Sequence, residues 1–339
     1  MKDLLLKLCR REDLTREEAR AAFLHLMSGE ATEAQIGGLL IGLAAKGTTV
    51  DELVGAASVM REKSVPILCE TGDVILDTCG TGGSKLRATG LFNISTVAAI
   101  IAAAAGVKVV KHGNRSATSR SGSADVLEAL GVNLERSPAQ LSTCLQEANI
   151  CFAFARSHHP AMRHVAGARG SLGVPTIFNM LGPLSNPAKS GHQLLGVFSP
   201  ELTDRFAQVL RELGSKRAWV VHAEDGLDEL STLGPTRVSE LRDGHVRAWT
   251  LDPVAMGMPY GRLSDLQVNG VGESAAAIRA ILDGEAGPRR DIALLNAGAA
   301  LVVAGKVIDL PHGIATAAEA IDSGKGKATL AALVRASND

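Results

Sequence analysis

Apolar positions recur at helical intervals over the first 65 residues: Ala22, Leu24 and Leu26, then Ile36, Leu39, Leu40 and Leu43. Three hydroxyl residues stand three places before a Glu or Gln: Thr15 with Glu18, Thr32 with Gln35, and Thr49 with Glu52. That is capping-box spacing, and it predicts an all-helical amino-terminal segment. Gly37, Gly38 and Gly42 lie inside one of these helices, each costing about 1 kcal/mol relative to Ala. A second helix packed very close would offset that cost, either in the same chain or in a second copy.

Near residue 74 the pattern changes to short, fully apolar runs alternating with helical ones. Val74–Leu76 reads as a strand ended by Asp77 and Thr78, and Ser95–Ala105 as an Ala-rich helix. Val107–Val110 and Ile150–Ala155 read as strands, with helices Ala124–Leu130 and Ala139–Glu147 between them. Residues 160–190 read as helix and irregular loop, punctuated by Gly182, Pro183 and Pro187. Leu194–Phe198 and Trp219–His222 continue the strands around a helix Leu202–Leu213. Asp243-Gly244 between Arg237–Leu241 and Val246–Leu251 signals a hairpin. Ser274–Leu282, Ile292–Ala304 and Ile314–Ser323 complete the helices. Such alternation implies an α/β fold with a mainly parallel central sheet covered on both faces. The expected organisation is a small helical domain, residues 1–70 joined by part of 165–190, and a larger α/β domain, 71–339.

Composition narrows the function classes. With 46% hydrophobic but only 3% aromatic residues, the core must be built from Ala, Leu, Val and Ile. A net charge of −1 gives no pull toward nucleic acid or an anionic membrane. Five cysteines without metal spacing read as reduced, packed thiols. The start of the chain has no leader-like apolar run, and no long uninterrupted apolar stretch follows, so a cytoplasmic protein is expected.

Ligands of parallel sheets bind beyond the carboxyl ends of strands, so the polar residues there carry the candidate chemistry. Gly80, Thr81, Gly82 and Gly83 follow the first strand. They either turn a tight corner or present backbone N–H groups to an oxyanion. Their spacing fits neither a Walker loop nor a dinucleotide fingerprint. Lys111-His112-Gly113-Asn114-Arg115-Ser116 offers positive charge and oriented hydrogen bonds, unless it is a solvated turn. Asp225, Asp228 and Glu229 place carboxylates side by side, a donor set for Mg²⁺ or a solvated helix start. His158, His159 and His164 lack a metal-binding spacing. Arg169, between Ala168 and Gly170, has room for a planar carboxylate on its guanidinium, though a surface or helix-end cation would look the same.

Taken together, GTGG at Gly80–Gly83, FNIST at Phe92–Thr96, KHGNRS at Lys111–Ser116, SGSADVLEALG at Ser121–Gly131, HHPAMRHV at His158–Val165, TIFNMLGPLSNPA at Thr176–Ala188, DGLDELS at Asp225–Ser231 and RDIALLNAGAAL at Arg290–Leu301 resemble the anthranilate phosphoribosyltransferase family, of nucleoside-phosphorylase-like fold. The resemblance spans almost the whole chain. It implies attack of the anthranilate amine on 5-phosphoribosyl-1-diphosphate (PRPP), with Mg²⁺, a cleft between two domains, and a homodimer through the helical domain. Carried over residue by residue, it implies PRPP contacts by Gly80, Thr81, Gly82, Gly83, Ser84, Asn93, Ser95, Thr96, Lys111 and Ser123. It also implies Mg²⁺ on Ser95, Asp228 and Glu229. Anthranilate would lie against Gly80, His112, Asn114 and Arg169, positioned by His112, Asn114 and Lys111 without any acid or base.

Three departures are present. Ser84 stands where the family usually has Asp, and about three extra residues precede Phe92 in SKLRATGL. Lys85 and Arg87 are therefore expected to contact diphosphate directly and partly replace metal-mediated binding. Gly167, Gly170 and Pro175 stand where the family more often has Pro, Arg and Arg, which leaves another aminobenzoate or hydroxybenzoate open as acceptor. A catalytically silent, nucleic-acid-binding relative would be expected to lose KHGNR and Asp228-Glu229, and this chain keeps both.

Overall fold

The Thr15, Thr32 and Thr49 capping boxes all form, starting helices Arg16–Met27, Glu33–Lys46 and Val50–Glu62 after a first helix, Lys2–Cys9. The structure is a computed structural model, and it describes residues 1–84, 86, 89–115 and 121–339. Two of the three helical glycines serve contacts inside the chain. A Cβ on Gly42 would lie 2.9 Å from Leu8 Cβ, and one on Gly38 3.3 Å from a Leu5 methyl. Those two glycines let the first and third helices touch, whereas Gly37 faces open space.

Seven strands form one sheet: β1 Ile75–Gly80, β2 Lys108–Gly113, β3 Ile150–Phe154, β4 His192–Gly196, β5 Arg217–Ala223, β6 Thr236–Arg242 and β7 His245–Leu251. Their order is β3-β2-β1-β4-β5-β6-β7. The first five run parallel, and β6–β7 is an antiparallel hairpin on the β5 edge. Asp243 and Gly244 turn that hairpin with φ of 51° and 77°, the left-handed pair a two-residue loop needs.

Two strand ends differ from the pattern reading. Asp77 and Thr78 do not end β1; they pair with Gln193 and Leu194, and the strand runs on to Gly80. Likewise Lys111, His112 and Gly113 belong to β2, paired with Phe152, Ala153 and Phe154. Polarity misled because these side chains are buried yet hydrogen-bonded to neighbouring elements, so they need not face water. The pattern reading contains neither the short helix Leu263–Leu266 nor the last one, Lys325–Asn338, which turns Leu330 and Leu333 into the core.

Helices cover both faces of the sheet. Ile94–Ala104, Pro288–Val303, Leu310–Asp322 and Lys325–Asn338 pack an Ala-, Ile- and Leu-rich layer on one of them. On the other, helix Leu202–Glu212 lies between the sheet and helix Val50–Glu62. Helices Arg163–Leu172 and Phe178–Leu181 pack back onto the amino-terminal helices, with the Phe178 ring 5.7 Å from Phe23 edge to face. Arg61 ties the same join by donating to Leu184 O at 2.6 Å; burial lowers its pKa to about 10. Among the described residues, no helix is long and apolar enough to cross a membrane.

Candidate active site

The glycine corner and the acidic loop are built against each other at the carboxyl edge of the sheet. Thr81 N donates to Gly196 O at 2.9 Å, and Thr81 Oγ1 accepts from Phe198 N at 3.1 Å. Gly82 and Gly83 follow with φ of 65° and 81°, a turn that side-chain-bearing residues rarely adopt. Ser84 donates from Oγ to Gly226 O at 2.6 Å, which fastens one loop to the other. A Cβ on Gly196 would sit 1.7 Å from the Asp228 carbonyl oxygen, and one on Gly80 3.2 Å from Asp228 Oδ2. Glycine at both strand ends is what lets the acidic loop lie there. Asp225 shapes that loop by accepting from Leu227 N and Ser231 Oγ. Asp228 and Glu229 are buried side by side, at 0% and 4% exposure.

A second group meets over β1. Lys111 is buried and donates from Nζ to Thr78 O and, at 3.2 Å, to Ser95 Oγ. Thr78 Oγ1 in turn donates to Ser95 O at 2.9 Å. Ser95 and the buried Thr96 open helix Ile94–Ala104, so the first turn of that helix faces the lysine. Asn93, at its start, accepts from Ser121 Oγ at 2.7 Å and Ser274 Oγ at 2.8 Å. Its amide thereby joins three segments far apart in sequence. Asn114 follows β2; its carbonyl accepts from Ser123 Oγ at 3.5 Å, and its Oδ1 from Arg115 N at 2.9 Å. A Cβ on Gly113 would lie 2.2 Å from Ser123 Oγ, so this glycine is required for the approach. Arg115 points to Asp125 and Glu128 on the exposed side. Lys85, Arg87 and Ser116 lie outside the described residues.

The histidines separate into different duties. His164 stacks against Gly29, and His158 Nδ1 faces Val65 O at 2.8 Å. His159 instead reaches the site, with Nε2 3.2 Å from His112 Nε2. His112 Nδ1 lies 3.2 Å from Gly182 O, which can only accept, so Nδ1 carries the proton of the neutral ring. Burial first, then the neighbouring histidines, push His112 down to about 3; burial and His158 push His159 down to about 4. Both rings are therefore neutral hydrogen-bonding groups at neutral pH.

That has a sign for stability. The unfolded chain protonates these rings near pH 6.5 while the folded chain keeps them neutral. Their contribution is complete above pH 6.5 and is lost as pH falls through the folded values. Each ring can add up to about 1.4 kcal/mol per pH unit inside that window. Melting temperature is expected to fall between pH 7 and pH 5, and His112→Asn should flatten the slope whatever it does to stability at pH 7. An unchanged slope in that variant would contradict the assignment.

Arg169 lies on helix Arg163–Leu172, half-buried, with its guanidinium 4.8 Å from the Phe178 ring centre. Phe178 begins the short helix that ends at Gly182, whose carbonyl faces His112. The arginine and the histidine pair are thus linked through one short segment. A side chain at Gly170 would meet open space, and one at Gly167 would meet Glu33 Oε1 at 3.5 Å.

Three residues escaped the sequence reading. Asp77, fully buried in β1, accepts from His112 N at 3.2 Å and from Asn186 Nδ2 at 2.8 Å. Burial raises its pKa, opposed by those bonds and by the charge of Lys111. Asn186 Nδ2 also donates to Val110 O at 2.8 Å, which pins β2 beside β1. His159 was weighed only as a metal ligand, although its real partner is another histidine. A carboxylate inside an apolar strand was the available signal for the first of these.

Comparison with known proteins agrees with this arrangement. Residues 72–327 match the glycosyl transferase family a/b domain, and residues 2–64 match the glycosyl transferase family helical bundle domain. The fold and the site therefore define a two-lobed glycosyl transferase. The chain is 51% identical over 337 residues to the anthranilate phosphoribosyltransferase of Methylobacterium sp. (strain 4-46), covering 99% of this chain and 98% of that protein. It is equally 51% identical, over 334 residues and 98% of each chain, to that of Thioalkalivibrio sulfidiphilus. The crystal structure of the Thermus thermophilus anthranilate phosphoribosyltransferase superposes with a TM-score of 0.92 at 44% identity, covering 99% of both chains. The Saccharomyces cerevisiae enzyme in complex with PRPP and Mg gives 0.88 at 26% identity, covering 100% of this chain and 99% of that one. The chain belongs to the anthranilate phosphoribosyltransferase family.

Proposed function

We propose that this protein transfers the 5-phosphoribosyl group of PRPP to the amine of anthranilate and releases diphosphate, a step of tryptophan biosynthesis. The observation that carries this reading is the meeting of the glycine corner, the Lys111–Ser95 pair and the acidic loop at one sheet edge. PRPP is assigned to Gly80, Thr81, Gly82, Gly83, Ser84, Asn93, Ser95, Thr96, Lys111 and Ser123. Anthranilate is assigned to Gly80, His112, Asn114 and Arg169, with its carboxylate on the Arg169 guanidinium.

Asp228, Glu229 and Ser95 fit Mg²⁺. Two adjacent buried carboxylates supply hard oxygen donors, and no third acidic, histidine or cysteine side chain among the described residues crowds them. Mg²⁺ prefers such partial protein coordination, completed by water and phosphate oxygens. When bound, it neutralises charge on the departing diphosphate. Lys111 and the backbone donors of the glycine corner hold the same group and favour the charge that develops as the C1–O bond breaks. An aromatic amine is already neutral near pH 7, so attack needs placement more than a base. The neutral His112–His159 pair suits that task, because it adds no positive charge beside the oxocarbenium-like carbon.

The working unit is read as a cytoplasmic homodimer joined through the helical domain, residues 1–70 with part of 165–190, while 71–339 forms the α/β domain. Mixing the protein with PRPP, Mg²⁺ and a panel of substituted benzoates tests the activity. Anthranilate fluorescence should disappear, dependent on PRPP and Mg²⁺, and the other benzoates should remain. Consumption of none of them, or of another benzoate instead, would overturn the proposal.

A further inference from the structure

The amino-terminal end of β5 lies at the opposite edge of the sheet from Asp228 and Glu229. The seven residues of that strand put its two ends on the order of 20 Å apart. At this far end Arg217 of β5 is paired with Arg242 of β6, and Arg242 with His245 of β7. Directly opposed residues of antiparallel strands share a face, so two arginines and a histidine stand in one row. The two arginine charges so placed repel.

Little in the fold relieves that repulsion. The acid one row further in, Glu240, is held by Arg247 at 2.6 Å. Arg242 has an exposed contact with Asp243 at 3.5 Å, a kind of pair worth little in water. The Arg217 guanidinium makes no hydrogen bond or ion pair among the described residues, although its backbone N donates to Gly191 O. Its guanidinium passes over Gly305, where a Cβ would be 3.0 Å from Nη1. The carbonyl end of helix Pro288–Val303 lies nearby and offsets the charge only partly. Burial and then the charges of Arg217 and Lys216 push the neighbouring His192 down to about 4.

The arginine row borders a cavity of about 160 Å³, lined further by Trp219, Val302, Val307, Ile308 and Glu240, whose charge is taken up by Arg247. Ile308 is 80% exposed at its rim, an apolar side chain left in water. The cavity is well below the ~300–1,000 Å³ typical of larger ligand sites. It suits one ring or one branched chain.

We propose that this cavity binds a small organic monocarboxylate, its carboxylate between Arg217 and Arg242 and its apolar body against Trp219, Val302 and Val307. Two guanidinium forks match a planar carboxylate, and its charge removes the repulsion between them. The apolar wall selects against inorganic anions, which have nothing to bury there.

Trp219 and Trp249 are the only two tryptophans, with ring centres 5.1 Å apart, so intrinsic fluorescence reports directly on this cavity. Benzoate is the probe, with excitation where benzoate does not absorb. A saturable change is expected, with a dissociation constant of about 1 mM. It should weaken at least about tenfold in Arg217→Ala/Arg242→Ala and persist in Arg169→Ala. Arg217→Gln alone serves if the double variant does not fold. No saturable change, equal binding by the arginine variants, or loss in Arg169→Ala would overturn the proposal. So would inorganic phosphate producing the same change with equal affinity.

Discussion

Asp228→Asn is expected to lower kcat by roughly a hundredfold or more at saturating PRPP, with a higher Mg²⁺ requirement. Removing one stabilising group from a developing charge typically costs that much. The effect should be large here because the two carboxylates are buried together and no third acid stands ready among the described residues. Glu229→Gln should behave similarly, and the pair should be strongly non-additive, since either loss disables the same donor set. The amide variants keep volume and hydrogen-bonding capacity, so melting temperature should change far less than activity. A Mg²⁺ titration of initial rates checks this. Full activity with an unchanged Mg²⁺ requirement would remove both residues from the metal assignment.

Arg169→Ala should act on the other substrate. The KM for anthranilate is expected to rise roughly thirtyfold, as for loss of a hydrogen bond between charged groups, with little change in the KM for PRPP. The side chain also packs on Phe178, at 4.8 Å, so part of any loss could come from that ring moving. Arg169→Lys separates the two effects. It keeps the charge and the stem but loses the planar fork, so it should recover only a small part of the acceptor affinity. Equal damage to use of both substrates would contradict placing the anthranilate carboxylate at this guanidinium.

Much of this architecture was legible in one dimension because its causes are local. The Thr15, Thr32 and Thr49 caps depend on a residue three places away, and each formed. The Asp243-Gly244 turn depends on two adjacent backbone conformations. Strand ends were less legible. Asp77, Thr78, Lys111 and His112 look like loop residues, yet they sit inside β1 and β2. Their polar groups are satisfied by Asn186, Ser95 and one another, which are distant in sequence. Glycines divide the same way. Gly244 was readable as a turn, but the need for Gly196 becomes visible only once Asp228 is known to lie against it.

From the sequence alone came the helical start, the α/β alternation, the family resemblance and the polar segments expected at the strand ends. Hydrophobic period, capping and turn chemistry act over a few residues, so the chain states them openly. Tertiary structure alone decided that His159 meets His112, that Ser84 fastens the glycine corner to the acidic loop, and that Arg217 faces Arg242. Those contacts depend on strand order and register, which bring residues 47 and 142 positions apart within hydrogen-bonding distance. No local propensity encodes a separation of that length.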